Sequence, residues 1–235
     1  MEFLSTADFW IGLMKIIWIN IILSGDNAVV IALAARALPP EQQRKAILFG
    51  SGAAVVLRIV LTVVAAKLLE LSFLQVIGGV LLLWIGYQLL SGSDEDDDAH
   101  HKGTGTMMAA IRTILIADLV MSLDNVIAVA ATAQGNMVLL ILGLAISIPI
   151  VVLGSTLMIK LMQRFPIIIT LGAALIGWVG GETVVNDNLV HGYTMAHPWL
   201  HYVAAATGAV LVVGLGKFMQ ARSANRAEAS ASPQA

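Results

Sequence analysis

Two short stretches of this chain place reactive side chains where the surroundings disfavour them. Ser24-Gly25-Asp26-Asn27-Ala28-Val29-Val30 and Ser122-Leu123-Asp124-Asn125-Val126-Ile127-Ala128 each set a carboxylate and a carboxamide inside a strongly apolar run. A charge in hydrocarbon costs a few kcal/mol or more, so an acid kept there marks a functional site with a partner to be found. Asp26 and Asp124 supply hard oxygen ligands and two negative charges. Asn27 and Asn125 add amide carbonyls, and Ser24 and Ser122 add hydroxyls. Asp118 precedes Ser122 by four residues and Asn125 by seven, so these three share a helix face. Oxygen donors without thiolate or His suit Mg²⁺, Ca²⁺ or Mn²⁺ better than Zn²⁺ or Cu. Asp124 is offset from that face by about a third of a turn, so a straight helix does not aim every donor inward. Local unwinding would correct the aim and free backbone carbonyls as ligands, as in the broken helices of transporters. Gly25 provides for it in the first copy.

The elements that position these motifs follow from composition. Of 235 residues, 58% are hydrophobic and 12% charged, against about 25% charged in soluble domains. Mean hydropathy is +0.87. The expected class is an all-α polytopic membrane protein, one transmembrane domain over residues 1–222. A net charge of −2 gives no footing for nucleic acid. With no cysteine, disulfides, iron–sulfur clusters and thiolate metal sites are excluded. Met1 to Asp8 lacks the positive region of a signal peptide, so the first apolar stretch reads as a retained span. No prosthetic group is expected.

At roughly 20 apolar residues per crossing, seven spans are expected: Phe9–Ala37, Ala46–Leu68, Leu71–Leu90, Ala109–Ala133, Met137–Leu161, Pro166–Val185 and His201–Met219. Pro39-Pro40 ends the first, because proline cannot continue a helix. An acidic and His-bearing linker occupies 91–108, and the Ala/Ser-rich segment 223–235 reads as a disordered tail. With the N-terminus outside, Arg36, Arg44, Lys45, Lys102, Arg112, Lys160, Arg164, Lys217, Arg222 and Arg226 all fall on the cytoplasmic side. That is ten of the thirteen basic residues. The positive-inside rule therefore gives N-out, C-in.

The motif belongs to a longer repeat. Ile19 to Asn27 aligns with Ala117 to Asn125, Lys67-Leu68-Leu69 with Lys160-Leu161-Met162, and Ile77-Gly78-Gly79…Trp84-Ile85-Gly86 with Leu171-Gly172-Ala173…Trp178-Val179-Gly180. Repeat 1 covers about 9–90 and repeat 2 about 109–185, with the helix over 201–219 appended. Three spans per repeat turn the second copy upside down, the inverted plan of secondary transporters with a site at the midplane. Asp26 is ten residues from Arg36 and Asp124 ten from Gln134. That is about 15 Å of helix, half of a roughly 30 Å hydrocarbon core.

Structural roles compete with these readings. A lone Asn or Ser in a span commonly bonds one helix to another, and Asp26 could simply pair with Arg58, the one cation deep in a span. Glu182, near the outer end of the sixth span, is either an exit ligand or an interfacial acid. Met121 and Met158 read as packing rather than soft ligands. Asp94 to His101 reads as a solvated linker, with metal gathering as its rival. His191, His197 and His201 on the outer side near Asp187 read as a polar loop.

The doubled Ser-x-Asp-Asn motif, the stretch Trp178-Val179-Gly180-Gly181-Glu182 and the seven-span plan resemble the TerC family of bacterial integral membrane proteins, over roughly residues 8–219. The likeness is to the short members under manganese-riboswitch control, related to the LysE-type exporters. The resemblance implies manganese efflux across the bacterial cytoplasmic membrane, including metal supply to exported enzymes. It also implies a metal site at Asp26, Asn27, Asp124 and Asn125, with Asp118 and Glu182 as further acids. Many relatives carry an acid at the position of Asn20, the counterpart of Asp118, so this site is less negative by one charge.

The expected function is thus Mn²⁺ export by alternating access, with protons as the counter-ion. The lipid bilayer is its environment, and a secretion-machinery partner or a homo-oligomer its candidate associations. A rival reading is a membrane adaptor that hands metal to secreted proteins without a transport cycle. A remote one is an intramembrane aspartyl protease, which also uses two Asp on neighbouring spans; its Tyr-Asp and Gly-x-Gly-Asp signatures are not the motifs found here. An enzyme is not expected.

Overall fold

A computed structural model of the chain describes residues 7–23, 25–68, 71, 73–91, 104–133 and 136–231. Ser24, most of the acidic linker and the side chains of Asn20, Lys67, Asp124 and His191 lie outside the described residues. Among the described residues there is no strand. The helices are α1 (Ala7–Leu23), α2 (Gly25–Ala35), α3 (Pro40–Leu68), α4 (Leu74–Ser91), α5 (Thr104–Ala133), α6 (Met137–Arg164), α7 (Ile167–Val185), α8 (Asn188–Ala196) and α9 (Trp199–Ala231). A helix satisfies its backbone N–H and C=O groups within one segment, which is what hydrocarbon demands of a crossing chain.

Among the described residues, five stretches are long and apolar enough to cross a membrane: Pro40–Val64, Leu74–Ser91, Met137–Arg164, Ile167–Val185 and Trp199–Ser223. Phe9–Ile19 and Gly25–Ala35 are shorter apolar helices. Large apolar side chains such as Trp10, Trp18, Leu153, Val210 and Phe218 are exposed, as suits helices solvated by lipid. Three features differ from the sequence reading. The expected span Phe9–Ala37 is divided between α1 and α2. The polar segment that follows α7 contains a further helix, α8. In addition, α9 runs on to Ala231 through most of the segment read as a tail, where Ala, Arg and Glu are good helix formers.

The chain forms two compact units, Met1–Leu74 with Gly103–Phe165 and Gln75–Lys102 with Pro166–Ala235. In the first, α3 packs along α5, while α6 packs on α1, α2 and α3. The core joins Phe9, Leu13 and Ile16 of α1 to Val129 of α5 and to Leu139, Leu140 and Leu144 of α6. Leu61 and Val126 tie α3 to α5. Asn136 starts α6 by accepting from the N–H groups of Val138 and Leu139, which satisfies two of the orphan donors of that helix end.

In the second unit α7 lies against α9 through Gly177-x-x-x-Gly181. A Cβ at Gly177 would stand 2.5 Å from the carbonyl oxygen of Gly208. Such small-residue seams let helices associate in lipid by close backbone approach. Gly177→Ala meets backbone on both sides and cannot be relieved by a rotamer change. It is expected to destabilise the protein by about 1–3 kcal/mol, measured as a lower midpoint of unfolding in detergent.

Asp187, buried, fastens the same unit. Its carboxylate accepts from Leu189 N–H at the start of α8 and from Gln75 and Val76 N–H at the start of α4, at 3.0, 3.1 and 3.3 Å. One charge thus serves two helix N-termini, where backbone N–H groups and dipoles favour an anion. Asp187→Ala is expected to cost about 2 kcal/mol or more, the sum of two caps, and Asp187→Asn less. Thermal unfolding of the pair checks both values.

Candidate functional site

Within the first unit, four helices bring polar groups to one small cavity. It is lined by Asn27 and Ile31 from α2, Ser51, Ala54, Val55 and Arg58 from α3, Asp118 from α5, and Ser147 and Val151 from α6. Each helix presents one face: Ser51, Ala54, Val55 and Arg58 stand at i, i+3, i+4 and i+7, and Ser147 and Val151 at i and i+4. The cavity volume is about 20 Å³, room for one water-sized guest or a bare metal ion.

Asn27 is 4% exposed, and neither its amide oxygen nor its amide nitrogen has a hydrogen-bond partner. The hydroxyls of buried Ser51 and Ser122 and the Oδ2 of Asp118 are likewise unpartnered. Leaving one buried polar group unpaired costs about 1–3 kcal/mol, so those of Asn27, Ser51 and Asp118 that line the cavity call for a guest there, a water or an ion, to satisfy them. Ser147 donates to the carbonyl of Leu144 at 2.6 Å, which directs its oxygen lone pairs elsewhere. Opposite these acceptors stands one cation. Arg58 Nη2 donates to Asp118 Oδ1 at 2.5 Å, and both side chains are buried.

The sequence-derived residues distribute as follows. Asp26 lies in the first turn of α2, half-buried, and accepts the N–H of Asn27 at 2.8 Å. The charges of Arg58 and Asp118 both act on it. A carboxylate in a helix's first turn lies at the favourable end of the dipole. Asn27, next along α2, enters the cavity itself. In the second copy α5 continues unbroken from Thr104 to Ala133, so the unwinding that Gly25 suggests for the first copy has no counterpart there. Leu123 occupies the position of Gly25, and leucine sustains a helix that glycine weakens. Asp118 lines the cavity and Ser122 lies one turn along the same helix. Asn125 donates to the carbonyl of Met121 at 3.1 Å.

Arg58 pairs with Asp118 rather than with Asp26. Ser24 and the side chain of Asp124 lie outside the described residues. Glu182 belongs to the second unit, where it lines a pocket of about 290 Å³ with Trp178, Pro198, His201, Tyr202 and Ala205. Among the described residues, no three His, Asp or Glu side chains gather in a cluster able to hold a metal ion. Sequence reasoning missed Ser51 and Ser147. The signal for Ser51 was its seven-residue spacing from Arg58, which places the two on one face of α3.

Comparisons with known proteins give a consistent picture. The chain is 44% identical over 190 residues to the uncharacterized membrane protein YjbE of Bacillus subtilis, covering 81% of this chain and 86% of that one. It is 27% identical over 205 residues to the UPF0053 inner membrane protein YoaE of Escherichia coli K12, covering 79% of this chain but 39% of YoaE. It is 26% identical over 207 residues to the uncharacterized membrane protein YkoY of Bacillus subtilis, covering 80% of this chain and 61% of YkoY. No solved structure matches. The family model described as "Integral membrane protein TerC family" matches residues 5–224, so the chain belongs to the TerC family of integral membrane proteins.

Proposed function

We propose that this protein exports a divalent metal ion, with Mn²⁺ as the cargo, across the cytoplasmic membrane by alternating access of its two repeats. In this reading seven spans form a 3+3 inverted repeat plus one, with the N-terminus outside and the C-terminus cytoplasmic. Protons drive release as counter-ions. Asp26, Asn27 and Asp118 bind the ion together with Asp124, Asn125, Ser24 and Ser122, and Glu182 guards the exit.

The observation that carries the ion site is the cavity bounded by Asn27, Ser51 and Asp118, where the Asn27 amide oxygen, the Ser51 hydroxyl and Oδ2 of Asp118 have no partner. Oxygen donors around a space of that size suit a hard cation. The alternation of partners supports the repeat: α3 packs on α5, and α6 packs on α1 and α2, so each repeat's second span lies against the other repeat's first. The choice of Mn²⁺ and the outward direction rest on the family resemblance.

Purified protein in inside-out proteoliposomes tests the reading. An exporter accumulates many Mn²⁺ ions per protein inside the vesicles. A metal-handover adaptor binds no more than its stoichiometric share and moves none.

A further inference from the structure

Arg58 has no part in holding a cation, yet it is buried at the cavity and bonded to one of the acids there. A carboxylate offers four lone-pair positions over its two oxygens. In Asp118, Oδ1 receives the guanidinium and Oδ2 faces no donor. A divalent ion entering beside Asn27 and Ser51 therefore meets a carboxylate already half claimed by a fixed positive charge. In the register that aligns Lys67 with Lys160, Arg58 falls on Val151, which lines the same cavity. The counterpart of Asp118 is Asn20. The Arg58–Asp118 pair, which joins one repeat to the other, thus has only neutral residues, Val151 and Asn20, at the corresponding positions.

Resting on the metal reading above, we propose that Arg58 is a tethered counter-cation that competes with the cargo ion for Asp118 and limits how tightly the site holds it. A permeating ion must bind strongly enough to enter and weakly enough to leave. A guanidinium is suited to the task, because it is charged at every physiological pH. It holds one oxygen of the carboxylate when cargo is absent and repels the cargo when present. It cannot itself depart with the cargo, being covalently part of α3.

The test is Mn²⁺ binding to the purified full-length protein, read by titration calorimetry and by the loss of the free-ion paramagnetic resonance signal. Arg58→Met keeps the length of the side chain and removes the charge. It is expected to bind Mn²⁺ about tenfold more tightly or better. Asp118→Asn added to Arg58→Met is expected to cancel that gain. A merely structural arginine predicts the opposite sign, since its loss would loosen the site. Should Arg58→Met fail to purify, Arg58→Lys provides the contrast. Its shorter side chain ends in a compact, strongly hydrated ammonium that competes less well for the carboxylate, and about threefold tighter binding is expected. Wild type that binds Mn²⁺ while these variants bind it equally or more weakly overturns the proposal and leaves the metal reading standing. Folded wild type and variants that all fail to bind Mn²⁺ overturn both.

Discussion

Replacing Arg58 alone with alanine is expected to destabilise the protein by about 3–5 kcal/mol, because it strands the Asp118 carboxylate in a buried site. For a chain of this length that corresponds to a fall of roughly 10 °C or more in the unfolding midpoint. The pair is 5% and 8% exposed at its side chains, so solvent can repair little of the loss. The double replacement Arg58→Met with Asp118→Leu removes both charges and fills the volume. It is expected to recover most of the lost stability, since a buried ion pair commonly breaks even against apolar packing. Thermal unfolding in one detergent of wild type, Arg58→Met, Asp118→Leu and the double replacement completes the cycle. An additive double replacement would mean that the two side chains do not act on each other. The stability and binding results should also run in opposite directions for Arg58→Met, with lower stability without metal and tighter binding of it. Saturating Mn²⁺ should then restore more stability to that variant than to wild type, by mass action on the folded state.

The second large effect concerns Asp26. It sits beside Asn27 at the start of α2, within the field of both Arg58 and Asp118. Asp26→Asn preserves shape and removes one negative charge from a region poor in other charges. Losing one member of a buried charge interaction costs about 2–5 kcal/mol. Transport at low Mn²⁺ is therefore expected to drop by about 30-fold or more. Asp26→Glu restores the charge at a longer reach and is expected to recover part of the activity. Neither substitution disturbs packing much, because Asp26 is only half-buried and the space beside Gly25 is open. Thermal stability close to wild type would separate this effect from misfolding.

The class of fold was legible because it follows from bulk properties. An apolar chain interrupted by Pro39-Pro40, by the acidic linker and by Asn136 yields helices along the expected spans, except that Phe9–Ala37 is divided between α1 and α2 and the last helix runs past Met219 to Ala231. Asn27 and Asp118, which line the cavity, were legible as candidates because charge and amide in an apolar run are costly wherever they fall. The identity of the partner for Arg58 was not legible. Depth along a span ranks Asp26 and Asp118 alike, and only the packing of α3 along α5 selects Asp118. Ser51 and Ser147 escaped notice for a related reason. A serine in a span usually bonds its own backbone, as Ser155 does with the carbonyl of Val151. Only the three-dimensional neighbourhood distinguishes Ser51, whose hydroxyl finds no such acceptor. Asp187 shows the converse. An acid in a polar outer segment suggests solvent or metal, yet it is 1% exposed and caps two helices that are distant in sequence.

The most direct test is Mn²⁺ accumulation in inside-out proteoliposomes holding equal amounts of folded wild type, Asp26→Asn or Asp124→Asn. The account predicts many ions moved per wild-type protein and flux near background for both variants. Equal flux in all three would contradict a site built on these carboxylates. Binding of Mn²⁺ by wild type without flux would contradict export and favour a protein that holds the metal for a partner.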